Sequence, residues 1–452
     1  MPRSTLPGAI TAVLGLVMMT GCAPGDDSGA DEAAGPSADD IETDLSELGD
    51  ITLTVWDQEV RGAQNDAIEA LIGEFEDEHP NITIDRVSQS FDDLQQQAGL
   101  ALSGDDVPDV MQVNNARSDM GEFVSSGELT DLSGYAEVYE WEDRFPESVL
   151  SKTRYSEDAE TFGEGALWGL PQTGEVVGIF YSEEAFDELG LEPPETWDDL
   201  YDIVDQAGSE GQRPLVLGNI EGWPALHVFG ALQSDYVPAD QIVELGMGNA
   251  GADWTSEENL EALEQMESWA EDGAFGDSPN GEDYDAAWES FTRGNGTLLI
   301  GGSWLGPDMA QVMDEDVRFM APPAGTGDQI ATTGGTGIPF AVPSDAENPD
   351  AAAAFIDYIV SDEAMELIAD NGGLPVLNAG ELAPDSGVNK DIYEAFDTVS
   401  TEGVLLPYLD YATPTFADTA ADNLQELIGG QISADEAAEN LQEDYAQFTE
   451  QD

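Results

Sequence analysis

Basic residues are scarce in this chain. Lys152 and Lys390 are its lysines, and Lys+Arg number 11 against 96 Asp+Glu, for a formal net charge of -85. Phosphate backbones and anionic lipid surfaces need basic patches that such a sequence cannot assemble, so nucleic acid is excluded as a partner and anionic small substrates are disfavoured. Histidine is almost missing as well: His79 precedes Pro80 at a helix stop, His227 sits in an apolar helical stretch, and neither falls in a zinc-type spacing such as HExxH. No phosphate loop of the GxxxxGKS or GxxxxGKT type is present, nor a GxSxG elbow, and the Gly334 to Gly337 run has no basic neighbourhood to cradle phosphate. Cysteine occurs once, at Cys22, which excludes disulfides and cysteine-based metal sites within a monomer. No cofactor and no metal are expected, and the chain is expected to be a monomer.

The acid excess also removes one signal. With 96 carboxylates, two lie close together almost anywhere, so a glycosidase-like pair carries no information here. Acidic runs such as Glu282-Asp283-Tyr284-Asp285 lack the calcium-loop pattern and read as a solvated face. What is plentiful is aromatic: 9 Trp, 12 Tyr and 16 Phe in 452 residues, with periodic apolar positions that a disordered acidic chain would not show. Such a surface folds compactly where salt screens the carboxylates, with a Debye length of roughly 3 Å at 1 M, and it reads as halophilic.

Met1-Pro2-Arg3, an uncharged run from Leu6 to Met19 and the small residues before Cys22 form a secretory signal too short to span a bilayer. Met19-Thr20-Gly21-Cys22 resembles the bacterial lipobox, with Met19 where leucine is commoner. That resemblance implies a signal peptide over 1–21, lipidation of Cys22 and anchoring at the outer face of the cell membrane. Residues 22–50, nearly free of large apolar side chains, read as an acidic flexible tether.

From Ile51 the pattern is strand, helix, strand. Ile51-Thr52-Leu53-Thr54-Val55-Trp56 alternates, Ile68, Leu71, Ile72 and Phe75 follow helical spacing, and Ile82 to Val87 and Pro108 to Val113 give two more strands, which predicts an α/β parallel sheet. A second α/β region begins near residue 175 with Val176 to Tyr181. It continues through helices from Ser182 and Thr196, a strand over Pro214 to Gly218, helices opened by Thr255-Ser256 and at Tyr284, and a strand over Thr297 to Ile300. A glycine-rich loop at Gly334, a helix from Pro349 and two closing helices complete the chain, the last opened by Ser433 and Glu436 as a capping box. Trp56, Gly222-Trp223-Pro224 and Gly302-Ser303-Trp304 put flat rings at strand ends and turns, where α/β proteins bind ligands and where a ring can stack on the CH face of a sugar. Each ring taken singly reads as a core residue more readily than as a ligand platform.

In order and spacing, several passages resemble the extracellular solute-binding proteins of carbohydrate ABC importers (family 1), the group that includes maltose-binding proteins. They are Ile51 to Trp56, Phe75 to Pro80, Pro108-Asp109-Val110 with Gly127 to Leu132, Trp168-Gly169-Leu170-Pro171, Gly190 to Leu200, and Phe291-Thr292-Arg293-Gly294 before Gly302-Ser303-Trp304. Tyr181-Ser182 departs from the family's Tyr-Asn. The resemblance implies two interleaved α/β lobes, 51–174 plus 320–376 and 175–319 plus 377–452, joined by hinge strands near Gly174, Phe319 and Pro375 with a ligand cleft between them. It further implies a neutral mono- or oligosaccharide as ligand, the transmembrane subunits of an ABC permease as partner, and no enzymatic activity. Residues at matching ligand positions are Glu175, Glu221, Trp223, Trp304, Gly335 and Phe416, together with Trp56, Gln58, Glu59 and Asn114 or Asn115 in the first lobe. Val113 and Ala116 stand where maltose binders present an aromatic and an acid, which implies a different sugar or sugar length. A receptor for a non-sugar solute (polyamine, peptide or glycerol phosphate) and a lipid-anchored glycosidase stay open as alternatives.

Overall fold

The computed structural model describes residues 35–104 and 106–449; the signal peptide, Cys22 and the start of the tether lie outside the described residues. The α/β architecture expected from the pattern is present among the described residues as two large sheets with flanking helices and a small antiparallel β4-β5 pair. The strands are β1 (Ile51–Asp57), β2 (Ile82–Ser88), β3 (Val110–Gln112), β4 (Arg154–Tyr155), β5 (Ala166–Leu167), β6 (Gly174–Ser182), β7 (Leu298–Gly302), β8 (Val317–Met320), β9 (Ala331–Thr336), β10 (Phe340–Ala341) and β11 (Val404–Leu406). The first sheet runs β10-β3-β1-β2, and β1 pairs in parallel with both of its neighbours. Alternation along β1 buries Leu53, Val55 and Asp57 while the intervening residues stay half-covered or exposed, as a strand with one face on the core requires.

The helix Gly62–Glu78 turns Ile68, Leu71 and Phe75 onto that sheet, and His79 ends it by donating its backbone N–H to the Phe75 carbonyl. Phe75 meets Phe355 of the helix Pro349–Ile359 edge to face at 5.3 Å between ring centroids, within the apolar cluster that closes this lobe.

The second sheet is built around β6, which pairs antiparallel with β7, β8 and β9, while β11 extends it beyond β9. Its side chains alternate between two apolar clusters, Val177 and Ile179 in one and Val176 and Phe180 in the other, so both faces are buried. Helix boundaries follow local chemistry. Thr196 and Asp199 form both bonds of a capping box, as do Ser433 and Glu436.

Four findings differ from the sequence expectations. The Gly334-rich segment is strand β9 rather than a loop: Gly334 lies so close to β6 that a Cβ there would come within 2.6 Å of the Glu175 carbonyl oxygen, a contact open only to glycine. Because β8 and β9 both bond to β6, the chain returns to the first sheet between Thr336 and Phe340, later than the crossing expected near Phe319. Pro214 to Gly218 makes only an isolated parallel bridge, Leu215 to Leu298. Within the segment read as tether, residues 35–50 lie against the first lobe. Leu45 is buried, and the Asn81 amide donates to the carbonyls of Leu45 and Gly49.

The crossings lie side by side. The Gly174 N–H donates to the Leu374 carbonyl and the Gly337 N–H to the Thr173 carbonyl, both at 2.9 Å.

Candidate functional site

Parallel strands end with their carboxyl termini at one edge, and the loops that leave β1, β2 and β3 there carry Gln58 and Arg61, Phe91 and Asn114. Across from them the second lobe presents Trp223, Leu226 and His227 from the first turns of the helix Trp223–Tyr236, Trp304 from the turn after β7, and Tyr408, Asp410 and Tyr411 from the turn after β11. Glu175, Thr336 and Ile338 of the crossing segments form the floor. The enclosed space measures about 720 Å3 including its open mouth, within the range of small-molecule sites.

The second lobe's wall is a run of rings. Trp223 lies 5.2 Å from His227 and 4.4 Å from Tyr284, His227 lies 5.5 Å from both Trp304 and Tyr408, and Tyr408 lies 5.5 Å from Tyr411. Trp304 is oriented by donating its indole N–H to the Tyr284 hydroxyl at 2.8 Å. His227 is buried among these rings, and burial lowers its pKa to about 3, so it faces the cleft as a neutral imidazole. Phe91 of the first lobe meets Trp223 edge to face at 6.3 Å across the cleft.

The first lobe's wall is polar and braced from beneath. In β2, Arg86 forks onto Asp57 through Nε and Nη2, both at 2.7 Å, and also donates to the Glu59 carbonyl and to Asn65 Oδ1. Gln112 of β3 accepts from the Gln58 N–H and donates to Glu59 Oε1, each at 2.8 Å. Together these fix the turn that carries Gln58 and Arg61. Arg61 reaches over the cleft to Asp285 at 3.0 Å and lies 5.8 Å from the Tyr284 ring centroid. Its Nε and the Gln64 carbonyl oxygen are buried at the cleft without a protein partner. The Trp223 indole N–H is also buried with no bond within 3.5 Å; it faces Asp92, whose carboxyl burial holds above its ordinary range against the opposing pull of that indole.

Burial lifts the carboxyls at and beside the cleft above their ordinary range, Glu175 far enough to be largely protonated near pH 7. Burial raises Glu175 to about 8 against the opposing hydrogen bond from Tyr408, whose hydroxyl donates to Oε2 at 3.0 Å, and the charge of Glu59 adds to the rise. Burial likewise raises Glu59 to about 7 and Asp410 to about 6.

Of the residues expected at the site, the structure brings Gln58, Asn114, Glu175, Trp223 and Trp304 together at the cleft. Glu59 lies beside it, in an adjoining pocket that shares Gln64, Glu175 and Trp304. The others serve elsewhere. Asn115 is fully buried and donates to the Lys152 carbonyl. Phe416 is fully buried and stacks on Trp254 at 5.0 Å, as a core residue. Glu221 accepts from the Tyr284 N–H at 3.2 Å outside the cleft lining, Trp56 is half-buried in β1, and Gly335 pairs with Glu175 inside the sheet. Arg61, Phe91, His227, Tyr408, Asp410 and Tyr411 were not anticipated. The Tyr408-Leu-Asp-Tyr411 spacing, two rings one turn apart after a strand, is the sequence signal that marks part of this group.

The profile of the bacterial extracellular solute-binding protein family matches residues 61–366. This chain belongs to that family, which consists of binding proteins and not enzymes. Among curated relatives, the "Multiple sugar-binding protein" of Streptococcus mutans is 24% identical over 330 residues, 69% of this chain and 72% of that protein. An uncharacterised ABC transporter extracellular-binding protein of Pyrococcus horikoshii is 22% identical over 78% of this chain and 77% of its own length. Among solved structures, a chitin oligosaccharide binding protein superposes with a TM-score of 0.74 at 20% identity, covering 88% of this chain and 99% of that one. The GacH receptor of Streptomyces glaucescens gives 0.72 at 22% identity over 88% and 98%. These likenesses establish the two-lobed fold. Among the described residues no helix is long and apolar enough to cross a membrane.

Proposed function

We propose that this chain is the substrate receptor of an ABC importer, anchored outside the cell through a lipid on Cys22, and that it closes its two lobes on a neutral mono- or oligosaccharide for delivery to the permease. The observation that carries the reading is the pairing of walls. Trp223 and Trp304 offer ring faces to the CH face of a sugar, while Gln58, Asn114, the free Arg61 Nε and the free Gln64 oxygen face them with hydrogen-bonding atoms. A ligand that touches both walls shifts the lobes toward closure, as the delivery mechanism requires. Glu175 on the cleft floor, raised to about 8 and so largely uncharged near pH 7, favours an uncharged ligand over a polyamine, which would need ionised partners. The names of the relatives support a sugar as well.

The receptor is further proposed to divide at hinge strands into lobes close to 51–174 plus 337–376 and 175–336 plus 377–452, and to work in concentrated salt, where its surface charge is screened. Titration calorimetry with a panel of mono- and oligosaccharides in molar salt tests the ligand class. Trp223→Ala and Trp304→Ala each weaken binding of the sugar found by at least tenfold, about 1.4 kcal/mol. Heat from a polyamine and none from any sugar overturns the reading. Cys22→Ser releases the protein into the medium if the lipid anchor is right, and leaves it on the membrane if it is not.

A further inference from the structure

In a chain with 96 acids, a basic side chain finds a carboxylate almost by default, and Arg61, Arg86, Arg144, Arg154, Arg213, Arg293, Arg318 and Lys390 all do. Among the described residues Arg117 and Lys152 have none within 4.0 Å. Arg117 is 5% exposed and occupied otherwise: Nη1 donates to the carbonyls of Ala159 at 2.9 Å and Glu160 at 3.3 Å, and Nη2 donates to the carbonyl of Met247 at 3.3 Å. Its guanidinium carbon lies 4.8 Å from the Phe448 ring centroid.

These partners belong to opposite lobes. Arg117 follows β3 of the first sheet, whereas Met247 follows the helix Ala239–Gly246, which packs on β11 of the second sheet, and Phe448 lies in the closing helix Ala434–Thr449. Gly248, beside Met247, sits at φ +72°; a Cβ there would come 2.0 Å from the Ala412 carbonyl oxygen, a contact within the second lobe, and 3.4 Å from the Arg117 Nε that crosses to it.

We propose that Arg117 is a positioning residue that latches the two lobes together and sets the closed state in which the cleft is complete. The latch complements the bridge from Arg61 to Asp285 at the cleft itself. That bridge uses a carboxylate 55% exposed, which dissolved ions reach and screen. Arg117 instead binds carbonyl dipoles and a ring in a buried place that ions do not enter, so its hold persists in the salt that weakens the other contact. A guanidinium is the group that can reach carbonyls in two directions while lying against a ring.

The inference rests on the two-lobed fold and needs no solute for its test, so its failure leaves the sugar reading untouched. Spin labels on Leu100→Cys and Ile220→Cys, exposed positions on either side of the cleft, report the interlobe distance in the full mature chain carrying Cys22→Ser. Arg117→Met lengthens and broadens that distance in ligand-free protein, equally at low and molar salt, and Arg117→Lys only partly restores it. Asp285→Asn lengthens it at low salt and has no effect in molar salt. Phe448→Leu removes the ring with little loss of apolar volume, and it lengthens the distance even if Arg117→Met fails to fold. An unchanged distance in both latch variants overturns the proposal, as does an effect that disappears in molar salt. A purely structural role for Arg117 lowers the unfolding temperature and leaves the distance where it was.

Discussion

Replacing Arg86 by Met tests the reasoning about the first lobe most directly. Among the described residues Arg86 is the sole cation that meets Asp57, a carboxylate with no exposed surface, and it does so with two bonds of 2.7 Å from a side chain only 11% exposed. Without the guanidinium, Asp57 keeps the 2.9 Å bond from the Glu59 N–H and is otherwise a buried charge without compensation. Breaking one side of such a pair costs about 3–5 kcal/mol, whereas replacing both sides with apolar groups of similar volume is often close to neutral. Arg86→Met is therefore expected to lower the unfolding free energy by about 3–5 kcal/mol, and Asp57→Leu added to it to recover most of that loss. Urea titration at a fixed molar salt concentration measures both, since guanidinium chloride would change the salt as well as the stability. A loss below about 1 kcal/mol in the single variant, or a double variant worse than the single, refutes the account of a desolvated pair. Arg86 also holds the Glu59 carbonyl, so the turn with Gln58 and Arg61 loosens and ligand affinity falls in the same variant.

Three further outcomes follow from the site. Glu175 and Glu59 bind protons more tightly folded, at about 8 and about 7, than at their ordinary value of 4.5, so their contribution to stability is present at acid pH and is lost as pH rises toward 7 and 8; urea midpoints measured against pH fall across that window and flatten in Glu175→Gln, and a flat wild-type profile contradicts the burial argument. His227, held at about 3 by its ring environment, shows no NMR titration between about pH 5 and 8, and a midpoint in that range would mean the imidazole reaches solvent. Phe416→Ala costs about 3–5 kcal/mol of stability through the cavity left beside Trp254, and it leaves affinity per folded molecule unchanged, as calorimetry on the folded fraction will show; a tenfold loss would return Phe416 to the site.

How much of this was legible in the sequence depends on the range of the force that decides each feature. Helix starts are local, and Thr196 with Asp199 or Ser433 with Glu436 can be read from four residues because the bonds are made within them. Strands β1 and β2 are nearly as plain, since one face of each meets a core. Strand β9 was hidden: Ala-Thr-Thr-Gly-Gly-Thr has the composition of a loop, and only the closeness of β6 makes its glycines necessary. At the site, Trp223 and Trp304 were placed by the order and spacing of the family resemblance, since each ring taken singly reads as a core residue. The spacing of Tyr408 and Tyr411 marks two rings after a strand but not their destination, because the last strand of the chain carries them and Asp410 back to a cleft begun at Gln58, 350 residues before Tyr408, a contact that no local pattern encodes. Phe416 was misplaced by only eight positions for the same reason: resemblance located the segment, and the register of the turn after β11 decided which rings face the cleft.

The charge and the cleft belong to separate problems, and the structure shows why they can. Exposed carboxylates act through solvent, and at 1 M salt their fields decay within roughly 3 Å, so the acids on the outer helices exert little force on a ligand between the lobes. Inside, burial raises Glu175, Glu59 and Asp410, Glu175 far enough to be largely protonated near pH 7, and Arg61 is matched by Asp285, which lowers the charge at the site in a chain of -85. Ring faces and amide groups bind by contact and by short hydrogen bonds, and neither is weakened by dissolved ions as a steering field would be. A surface can then gather acids to suit its medium without altering what the cleft selects, provided the closure between lobes does not itself depend on exposed ion pairs. The buried latch at Arg117 satisfies that condition, and the bridge at Asp285 alone would not.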